Sequence, residues 1–294
     1  MAEASFVLLD DRGILAVSGP DRRPFLQGLV SNDVDKVSPR AARYAALLTA
    51  QGKYLHDFMI VEVGESIWLE TEAARRADLK RRLNIYRLRS KVSLEERSEL
   101  AVGAVFGSGA EAVLGLPSEP GIAKSLEGGI AFVDPRLAAL GVRVILPGER
   151  ARTLLADAGV SEAPFEDYER LRLSLGIPDG SRDLAIEKAI LLESGFDELN
   201  GIDWQKGCYI GQELTARTKY RGLVKKRLMP VTVEGPLPAP GTPVLQGEAE
   251  AGELRSGQDG IALALLRLES ASDGKALRAG EARLRPIKPD WARF

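Results

Sequence analysis

The first hundred residues show two spacings of apolar positions, one typical of strands and one typical of helices. Short apolar runs predict strands at residues 6–9 and 13–17, which the polar turn at 10–12 would join as a hairpin. A second hairpin is predicted from residues 54–63 and 66–71. Each predicted hairpin is followed by a segment with helical spacing.

These two helical segments differ in length. Asp21 is predicted to cap the first helix, whose apolar residues at helical spacing are Phe25, Leu26, Leu29 and Val30. The second helix is predicted from Glu72 to about Tyr86, with an inward stripe formed by Leu79, Leu83 and Tyr86. Most basic residues of the second helix fall on the opposite face.

The second hundred residues repeat this order of elements. Strands are predicted at 129–133 and 141–146, followed by a helix at 148–158. A strand pair followed by a helix in each half predicts two related, interwoven α+β units. Further helices are predicted at 165–175 and 213–220.

Beyond Pro230 the pattern changes, because Gly and Pro divide short apolar runs about every eight to twelve residues. This spacing predicts a small β-barrel or sandwich. The chain is therefore predicted to be an α+β protein. Its first region would cover residues 1–228, in two halves of roughly 1–99 and 100–228, and a C-terminal β-barrel would cover residues 229–294.

Composition narrows the chemistry that the chain can carry by itself. Of its 294 residues, one is a cysteine, Cys208, and one is a histidine, His56. A single thiol excludes an internal disulfide, and one thiol with one imidazole excludes a zinc site of the usual Cys and His ligands. A cluster that needs four cysteines is likewise excluded as a site held by this chain alone. We therefore predict no resident metal site.

The formal net charge of −2 conceals an uneven distribution of charge. Residues 75–91 hold eight basic side chains and one acid, and residues 206–227 hold seven basic side chains and one acid. One interpretation of these two basic segments is solvated helix faces, and the other is an anion-attracting region. RNA is a further candidate ligand, although no aromatic-stacking RNA motif accompanies the basic residues.

No targeting or membrane segment is predicted. The N-terminal sequence has no basic stretch followed by a long apolar core, as a secretory leader would have. No segment reaches the roughly 20 apolar residues of a membrane span. We therefore expect a soluble, cytoplasmic protein without a membrane partner.

The densest concentration of reactive residues lies at 206–217, with the sequence KGCYIGQELTAR. Two glycines bracket Cys208, and a helix is predicted to begin shortly after it. Positive potential from Lys206 and from the helix N-terminus would favour the thiolate, which makes Cys208 a candidate reactive thiol with Lys206 as its activating neighbour. The alternative is an inert, buried cysteine.

The string KGCYIGQE, continuing as LTARTKYRGLVKKRL, resembles the signature of the YgfZ family, the folate-binding proteins of iron–sulfur cluster assembly. That family is related to the T-protein, the aminomethyltransferase of the glycine cleavage system. Further segments agree with the family: GPDRRPFLQGLVSNDV, LLTAQGKYLHDFMI, YRLRSKV, LRLSLGIPDG and ESGFDELNGIDWQKG. The signature residues are Lys206, Gly207, Cys208, Tyr209, Gly211, Gln212 and Glu213.

The resemblance implies an aminomethyltransferase-like fold, in which two interwoven α+β domains and a C-terminal barrel surround a channel for tetrahydrofolate or a one-carbon derivative. Asp57 matches the T-protein's aspartate, and His56 precedes it. The other residues expected at the folate site are Asn32, Asp33, Tyr86, Glu193 and Arg217. Ser174 stands where the T-protein has an acid, so Glu193 is a candidate to supply the carboxylate that pairs with a pterin's amino edge.

The function implied by the resemblance is a folate-binding accessory factor for the assembly or repair of 4Fe-4S proteins, which would support tRNA modification indirectly. Cys208 would be its reactive thiol, or a single ligand to a cluster shared with an iron–sulfur client enzyme or assembly protein. One alternative is a folate-dependent aminomethyl- or methyltransferase with Asp57 as its charged catalytic group. Another is a tRNA-binding module that uses the two basic segments.

Overall fold

The computed structural model describes residues 4–222 and 224–294. The strands β1 to β17 are Ser5–Leu8, Arg12–Ser18, Arg43–Leu48, Tyr54–Val63, Ser66–Glu72, Ser93–Arg97, Leu100–Phe106, Ala123–Leu126, Gly129–Val133, Val142–Pro147, Ser161–Glu162, Lys226–Glu234, Pro243–Gln246, Ala249–Gln258, Ile261–Arg267, Leu277–Ala279 and Ala282–Pro286. The helices α1 to α8 are Arg22–Gln27, Arg76–Arg87, Ala110–Val113, Ala151–Asp157, Phe165–Ser174, Gly180–Asp183, Gln212–Tyr220 and Leu268–Ser272. Two parts of the predictions lie outside the described residues. They are residues 1–3, at the start of the N-terminal sequence, and Leu223, in the continuation of the family signature.

Two sheets carry the first two thirds of the chain. The first has the strand order β3-β4-β5-β2-β6, and the second has the order β11-β1-β7-β10-β9-β8. Strand β1 thus lies in the second sheet, although the chain continues from it directly into the first. This exchange interweaves the two halves of the sequence.

The hairpin predicted at the N-terminus is wrong. Both edges of β2 are occupied, by β5 on one side and by β6 on the other. Strand β1 pairs antiparallel with β7, from Ser5 opposite Phe106 to Leu8 opposite Gly103. The turn at 10–12 was identified correctly, but a turn signal does not determine which strand edge is free to pair.

The helices follow the predicted segments, with two differences. Asp21 occupies the N-cap position of α1, but its carboxylate accepts from the Lys91 amide and not from its own helix. In α2, Leu79 and Leu83 are buried as predicted, whereas Tyr86 in the last turn is 39% exposed. The predicted inward stripe therefore ends at Leu83.

Buried ion pairs link the two sheets. Arg143 of β10 lies 3.7 Å from the Glu70 carboxylate of β5 and 3.5 Å from that of Asp134. Arg12 of β2 donates to Glu70 over 2.5 Å. Burial opposes ionisation of Glu70, but Arg12 and Arg143 lower its pKa below the ordinary value.

The C-terminal strands close into a barrel with the order β12-β15-β14-β13-β16-β17, sealed by the pairing of β12 with β17. Its core is made of small and branched apolar side chains, among them Val231, Leu254 and Leu284. Asp183 joins α6 to this barrel, because its carboxylate accepts from the backbone amide and the hydroxyl of Ser256.

The described chain forms two compact units. The first contains the residues up to Leu48, His56–Tyr168 and Asn200–Ile210. The second contains Thr49–Leu55, Glu169–Leu199 and the described residues from Gly211 onward. The domain boundary between residues 228 and 229 stays a prediction.

Candidate functional site

Cys208 lies on an exposed loop of the first unit. Its thiol is free, and Gly207 beside it is also exposed. The Ile210 amide fixes the end of the loop by donating to the Gly28 carbonyl oxygen over 3.2 Å. Helix α7 begins only at Gln212, so the cysteine belongs to the loop and not to the first helical turn. Because Cys208 is exposed, the alternative of an inert cysteine buried in the core is wrong.

Lys206 holds this loop against the end of α1. Its ammonium donates to the carbonyl oxygens of Gln27, Val30 and Asn32 over 2.8, 2.6 and 2.9 Å. These bonds use all three of its N–H donors. The same ammonium lies 5.1 Å from the centre of the Tyr209 ring, a cation–π distance. Burial lowers the pKa of Lys206 to about 8. The structure therefore shows Lys206 fixing the backbone that presents the thiol.

A cavity of about 520 Å³ lies beside the segment that leads to Cys208. Its wall includes Trp204, Arg43 and Asn32. Asn32 is buried and donates to the carbonyl oxygens of Tyr44 and Asn200, both over 2.7 Å. Asp33 accepts from the Gln27 side chain over 2.8 Å. The predicted Asn32 and Asp33 thus shape this wall through contacts within the protein.

Asp57 lies inside the first unit, with 3% of its surface exposed. The Tyr44 hydroxyl donates to its carboxylate over 2.8 Å. Burial and the nearby charge of Asp57 raise the pKa of Tyr44 well above its ordinary value. Arg136 lies 5.5 Å from the centre of the Tyr44 ring and pairs with Asp134 over 2.7 Å. The Asp57 carboxylate is therefore firmly oriented, with little surface left for a ligand.

His56 points to the opposite face of β4 from Asp57, because successive residues of a strand alternate. Its Nε2 atom lies 2.9 Å from the Asp78 carboxylate, and it is 1% exposed. Burial and the positive charge of Arg75 lower the pKa of His56 to about 4. The imidazole is therefore neutral at pH 7, with its proton on Nε2 facing Asp78. His56 therefore has a structural role, because its contact with Asp78 connects β4 with α2.

Glu193 lines a cavity of about 550 Å³ in the second unit. Three basic side chains, Lys225, Lys226 and Arg267, share this wall with it. The Glu193 carboxyl makes no hydrogen bond or ion pair with another residue of the described chain, and burial raises its pKa. An unpaired carboxyl beside several cations suits a ligand that offers N–H donors at one end and an anion at the other.

The remaining predicted residues fall in different places. Tyr86 lines a separate surface cavity with Leu88 and Arg89. Gly211 adopts a φ of 81° immediately before α7, which favours glycine there. Glu213 and Arg217 are exposed, and Gln212 is half-buried. The signature residues Gly211, Gln212 and Glu213 and the predicted folate-site residue Arg217 all belong to the second unit.

Sequence reasoning missed Tyr44 and Arg267. Tyr44 lies on β3, a strand that was not predicted, and its hydroxyl reaches Asp57 on the adjacent strand. The apolar run from Tyr44 to Leu48 was the signal that could have located β3. Nothing in the sequence around Arg267 connects it with Glu193, which lies far away along the chain.

Two domain families match the sequence. The GCVT N-terminal domain matches residues 9–121, and the C-terminal beta-barrel domain of CAF17 matches residues 225–294. The closed barrel that begins with β12 lies within the second match. The predicted membership of the T-protein-like superfamily is confirmed by these matches.

Relatives of known name match nearly the whole chain. The mitochondrial iron–sulfur cluster assembly factor IBA57 of Mus musculus is 36% identical over 312 residues, and that of Homo sapiens is 37% identical over 306. Each match covers 96% of this chain and 84% of the relative. The IBA57 homolog of Neurospora crassa is 36% identical over 77% of this chain and 53% of its own length. The prediction that favoured an assembly factor over an enzyme is confirmed by these names.

Among solved structures, the glycine cleavage aminomethyltransferase T of Bartonella henselae is similar to this chain with a TM-score of 0.81. The match covers 99% of this chain and 87% of that protein at 18% identity, so the likeness concerns the fold alone. The predicted aminomethyltransferase-like α+β fold with a C-terminal barrel is confirmed.

The predicted cytoplasmic location is wrong by these comparisons, because the mammalian and fungal relatives are mitochondrial proteins by name. The lack of a secretory leader does not distinguish the cytoplasm from the mitochondrion. In the part of the chain that the structure describes, no helix combines the length and apolar character needed to cross a bilayer.

Proposed function

Because this chain belongs to the IBA57 family of iron–sulfur cluster assembly factors, we propose that it acts in the assembly or repair of 4Fe-4S proteins. In this proposal Cys208 supplies the reacting thiol, and the chain binds tetrahydrofolate or a one-carbon derivative. Its partners are iron–sulfur client enzymes or assembly proteins. Any effect on tRNA modification is indirect, through the iron–sulfur enzymes that carry it out.

The observation that carries the proposal is the exposed Cys208 on a loop that Lys206 fixes to the protein surface. A free thiol in such a position is accessible to a macromolecular partner, whereas a thiol in a core is not. Cys208 is also the chain's one cysteine. It can therefore supply one ligand to a cluster, and the other ligands must come from the partner.

We expect Cys208→Ala to abolish the contribution of this chain to client 4Fe-4S enzymes while leaving its fold unchanged, since the side chain is exposed. The measurement is the activity of those enzymes in cells that lack every other copy and carry either the wild type or the variant. Gln205→Ala, a change at another exposed position of the same loop, is the matched control. Full client activity with Cys208→Ala would remove the thiol from the mechanism.

The Glu193 cavity supports the folate part of the proposal. A pterin presents N–H donors that a carboxylate accepts in pairs, and the glutamate tail of folate is anionic. The unpaired Glu193 carboxyl and the cations Lys225, Lys226 and Arg267 match these two ends. Asp57 stays a predicted folate contact, although its burial makes Glu193 the better supported anchor. A transferase that uses Asp57 as its charged group would require a ligand to reach that buried carboxylate.

We expect Glu193→Gln to weaken tetrahydrofolate binding about 10- to 100-fold, as loss of a charge-assisted pair of hydrogen bonds does. Burial raises the pKa of Glu193, so the ionised form that accepts these bonds is lost at a higher pH than for an ordinary glutamate. On acidification, wild-type affinity should therefore begin to fall at a higher pH than an ordinary glutamate would give, and the variant should lose this dependence. Calorimetric titration of the purified chain measures both effects.

Glu269→Gln is the control for this titration, because Glu269 borders the same cavity but is exposed and pairs with Arg267. Its affinity should stay close to that of the wild type. If the wild type binds no folate, the folate part of the proposal fails while the thiol part stands. Equal affinity in Glu193→Gln and the wild type would place the ligand elsewhere.

A further inference from the structure

The last turn of α2 and the residues that follow it expose an unusual amount of apolar surface. Leu88 is 89% exposed, Ile85 is 60% exposed and Tyr86 is 39% exposed. Tyr86 and Leu88 line a surface cavity of about 720 Å³, together with Asp21, Arg89 and Ser90. We call residues 85–91 the apolar-basic turn. Exposed apolar side chains clustered around a concavity are typical of a surface that binds another molecule.

The backbone of this turn is strained and yet firmly held. Leu88 has a φ of 41° and a ψ of −107°, a conformation that a leucine rarely adopts. The Ser90 amide donates to the Arg87 carbonyl oxygen over 2.7 Å, and the Lys91 amide donates to the Asp21 carboxylate over 2.7 Å. Neighbouring structure thus holds the leucine side chain out in water. Strain that persists in this way is typical of functional surfaces.

Unpaired positive charge surrounds the exposed apolar residues. Earlier in α2, Arg81 and Arg82 pair with Asp78, and Arg76 pairs with Glu96. Arg87, Arg89 and Lys91 are exposed and pair with no carboxylate of the described chain. Within the basic segment 75–91, the positive charges that can attract a ligand are therefore concentrated at the apolar-basic turn.

We propose that the apolar-basic turn binds an acidic segment of a partner protein, with an aliphatic side chain of that segment seated in the cavity beside Leu88. The cations supply charge complementarity, and burial of Leu88, Ile85 and Tyr86 supplies the apolar contact. The proposal involves neither Cys208 nor the Glu193 cavity, so it is independent of the function proposed above.

Two other ligands offer negative charge, and the surface fits them less well. RNA bases stack on aromatic or guanidinium planes, and such binding would leave Ile85 and Leu88, the two most exposed apolar side chains here, without an apolar contact. An anionic membrane is bound by an amphipathic helix with a continuous apolar face, whereas the exposed apolar residues here are three side chains at one end of α2, beside a surface concavity. A protein segment with both acidic and aliphatic side chains matches the charge and the shape together.

The test uses the full chain and a fluorescein-labelled synthetic peptide of alternating Glu and Leu pairs, with fluorescence anisotropy as the readout. A peptide with Lys in place of every Glu is the charge control. We expect the acidic peptide to bind at least about tenfold more tightly than the basic one, and its affinity to fall with added salt. Leu88→Asp should weaken binding of the acidic peptide about tenfold or more, and Leu237→Asp, at an exposed leucine of the second unit, should not.

A second variant separates binding from stability. Leu88→Gly should raise the thermal unfolding midpoint, because glycine accepts a positive φ without strain, and should still weaken peptide binding. Equal affinity for the two peptides, or wild-type affinity in both Leu88 variants, would overturn the proposal. The proposal would also be overturned if the wild type bound phosphatidylserine vesicles or tRNA but not the acidic peptide, and if the Leu88 variants lost that binding.

Discussion

Asp183→Asn is expected to lower the free energy of unfolding of the second unit by about 3 kcal/mol, because it removes one carboxylate from a buried ion-pair network and leaves buried N–H donors without an acceptor. The Asp183 carboxylate accepts from the Arg172 guanidinium and from the Asp179 amide, both over 2.8 Å. Its other oxygen accepts from the Ser256 amide over 3.0 Å and from the Ser256 hydroxyl over 2.6 Å. An asparagine side chain cannot accept at all four of these donors.

Arg172 makes this loss severe. Burial alone would lower the pKa of Arg172, but Asp183 and Glu169 raise it above its ordinary value, so the guanidinium stays charged. After the substitution, Glu169 is the carboxylate that still contacts it, over 2.7 and 2.8 Å. The amide nitrogen of the asparagine would then face an N–H donor of Arg172 or of Ser256 inside the protein, and two donors cannot form a hydrogen bond. Chemical denaturation measures the effect in a full chain in which Trp68 and Trp204 of the first unit are replaced by phenylalanine, so that the fluorescence reports on Trp291 in the second unit.

Asp259→Asn is the matched control for this prediction. Asp259 pairs with Arg170 over the same 2.8 Å, but both side chains are more than half exposed. Exposed pairs contribute about 0–1 kcal/mol, so this variant should unfold almost as the wild type does. A similar small change in Asp183→Asn would mean that the network around Ser256 contributes little to the barrel's attachment.

Lys206→Met is the second change with a large expected effect, about 2 kcal/mol of stability together with a loosened Cys208 loop. The methionine removes the donor of three hydrogen bonds and leaves the carbonyl oxygens of Gln27, Val30 and Asn32 without it. It also removes the charge that lies over the Tyr209 ring. The loop should then open more often, and the Ile210 amide should lose its protection.

Hydrogen exchange at the Ile210 amide measures this opening directly, because that amide donates to Gly28 in the closed loop. Lys188→Met, a change at an exposed lysine of the second unit, is the control and should leave the exchange rate unchanged. The wild type itself should change with pH: since burial lowers the pKa of Lys206 to about 8, its stability should rise as the pH increases from about 8 toward 10.5. An Ile210 exchange rate unchanged by Lys206→Met would show that the ammonium does not hold the loop.

Local elements were predicted well where the apolar pattern is strong. The strands at 54–63 and 129–133 have the predicted bounds, and the helix predicted at 165–175 is α5 at Phe165–Ser174. The pattern failed for strand β3, whose residues from Tyr44 to Leu48 are all apolar and therefore show no alternation. It also failed for the pairing of β1, because apolar pattern marks a strand without marking its neighbour.

The site shows the same division between local and distant information. Cys208 and Lys206 were identified from their own short string, but the string suggested that the lysine acts on the thiol. In the structure the Lys206 ammonium reaches residues of the first helix and the loop after it. Those residues are far away in sequence, so no spacing rule could have indicated the contact.

The sequence by itself determined the α+β class, the C-terminal barrel, the positions of six strands and five helices and the family signature around Cys208. Each of these is written in a contiguous stretch, where side-chain period and residue type act over a few positions. Only the tertiary structure decided that β1 joins the second sheet, that Lys206 bonds to carbonyl oxygens, that Asp57 is buried under Tyr44 and that Leu88 is held out in water. These features depend on which distant groups meet, and burial, hydrogen bonding and free strand edges settle that only when the whole chain has packed.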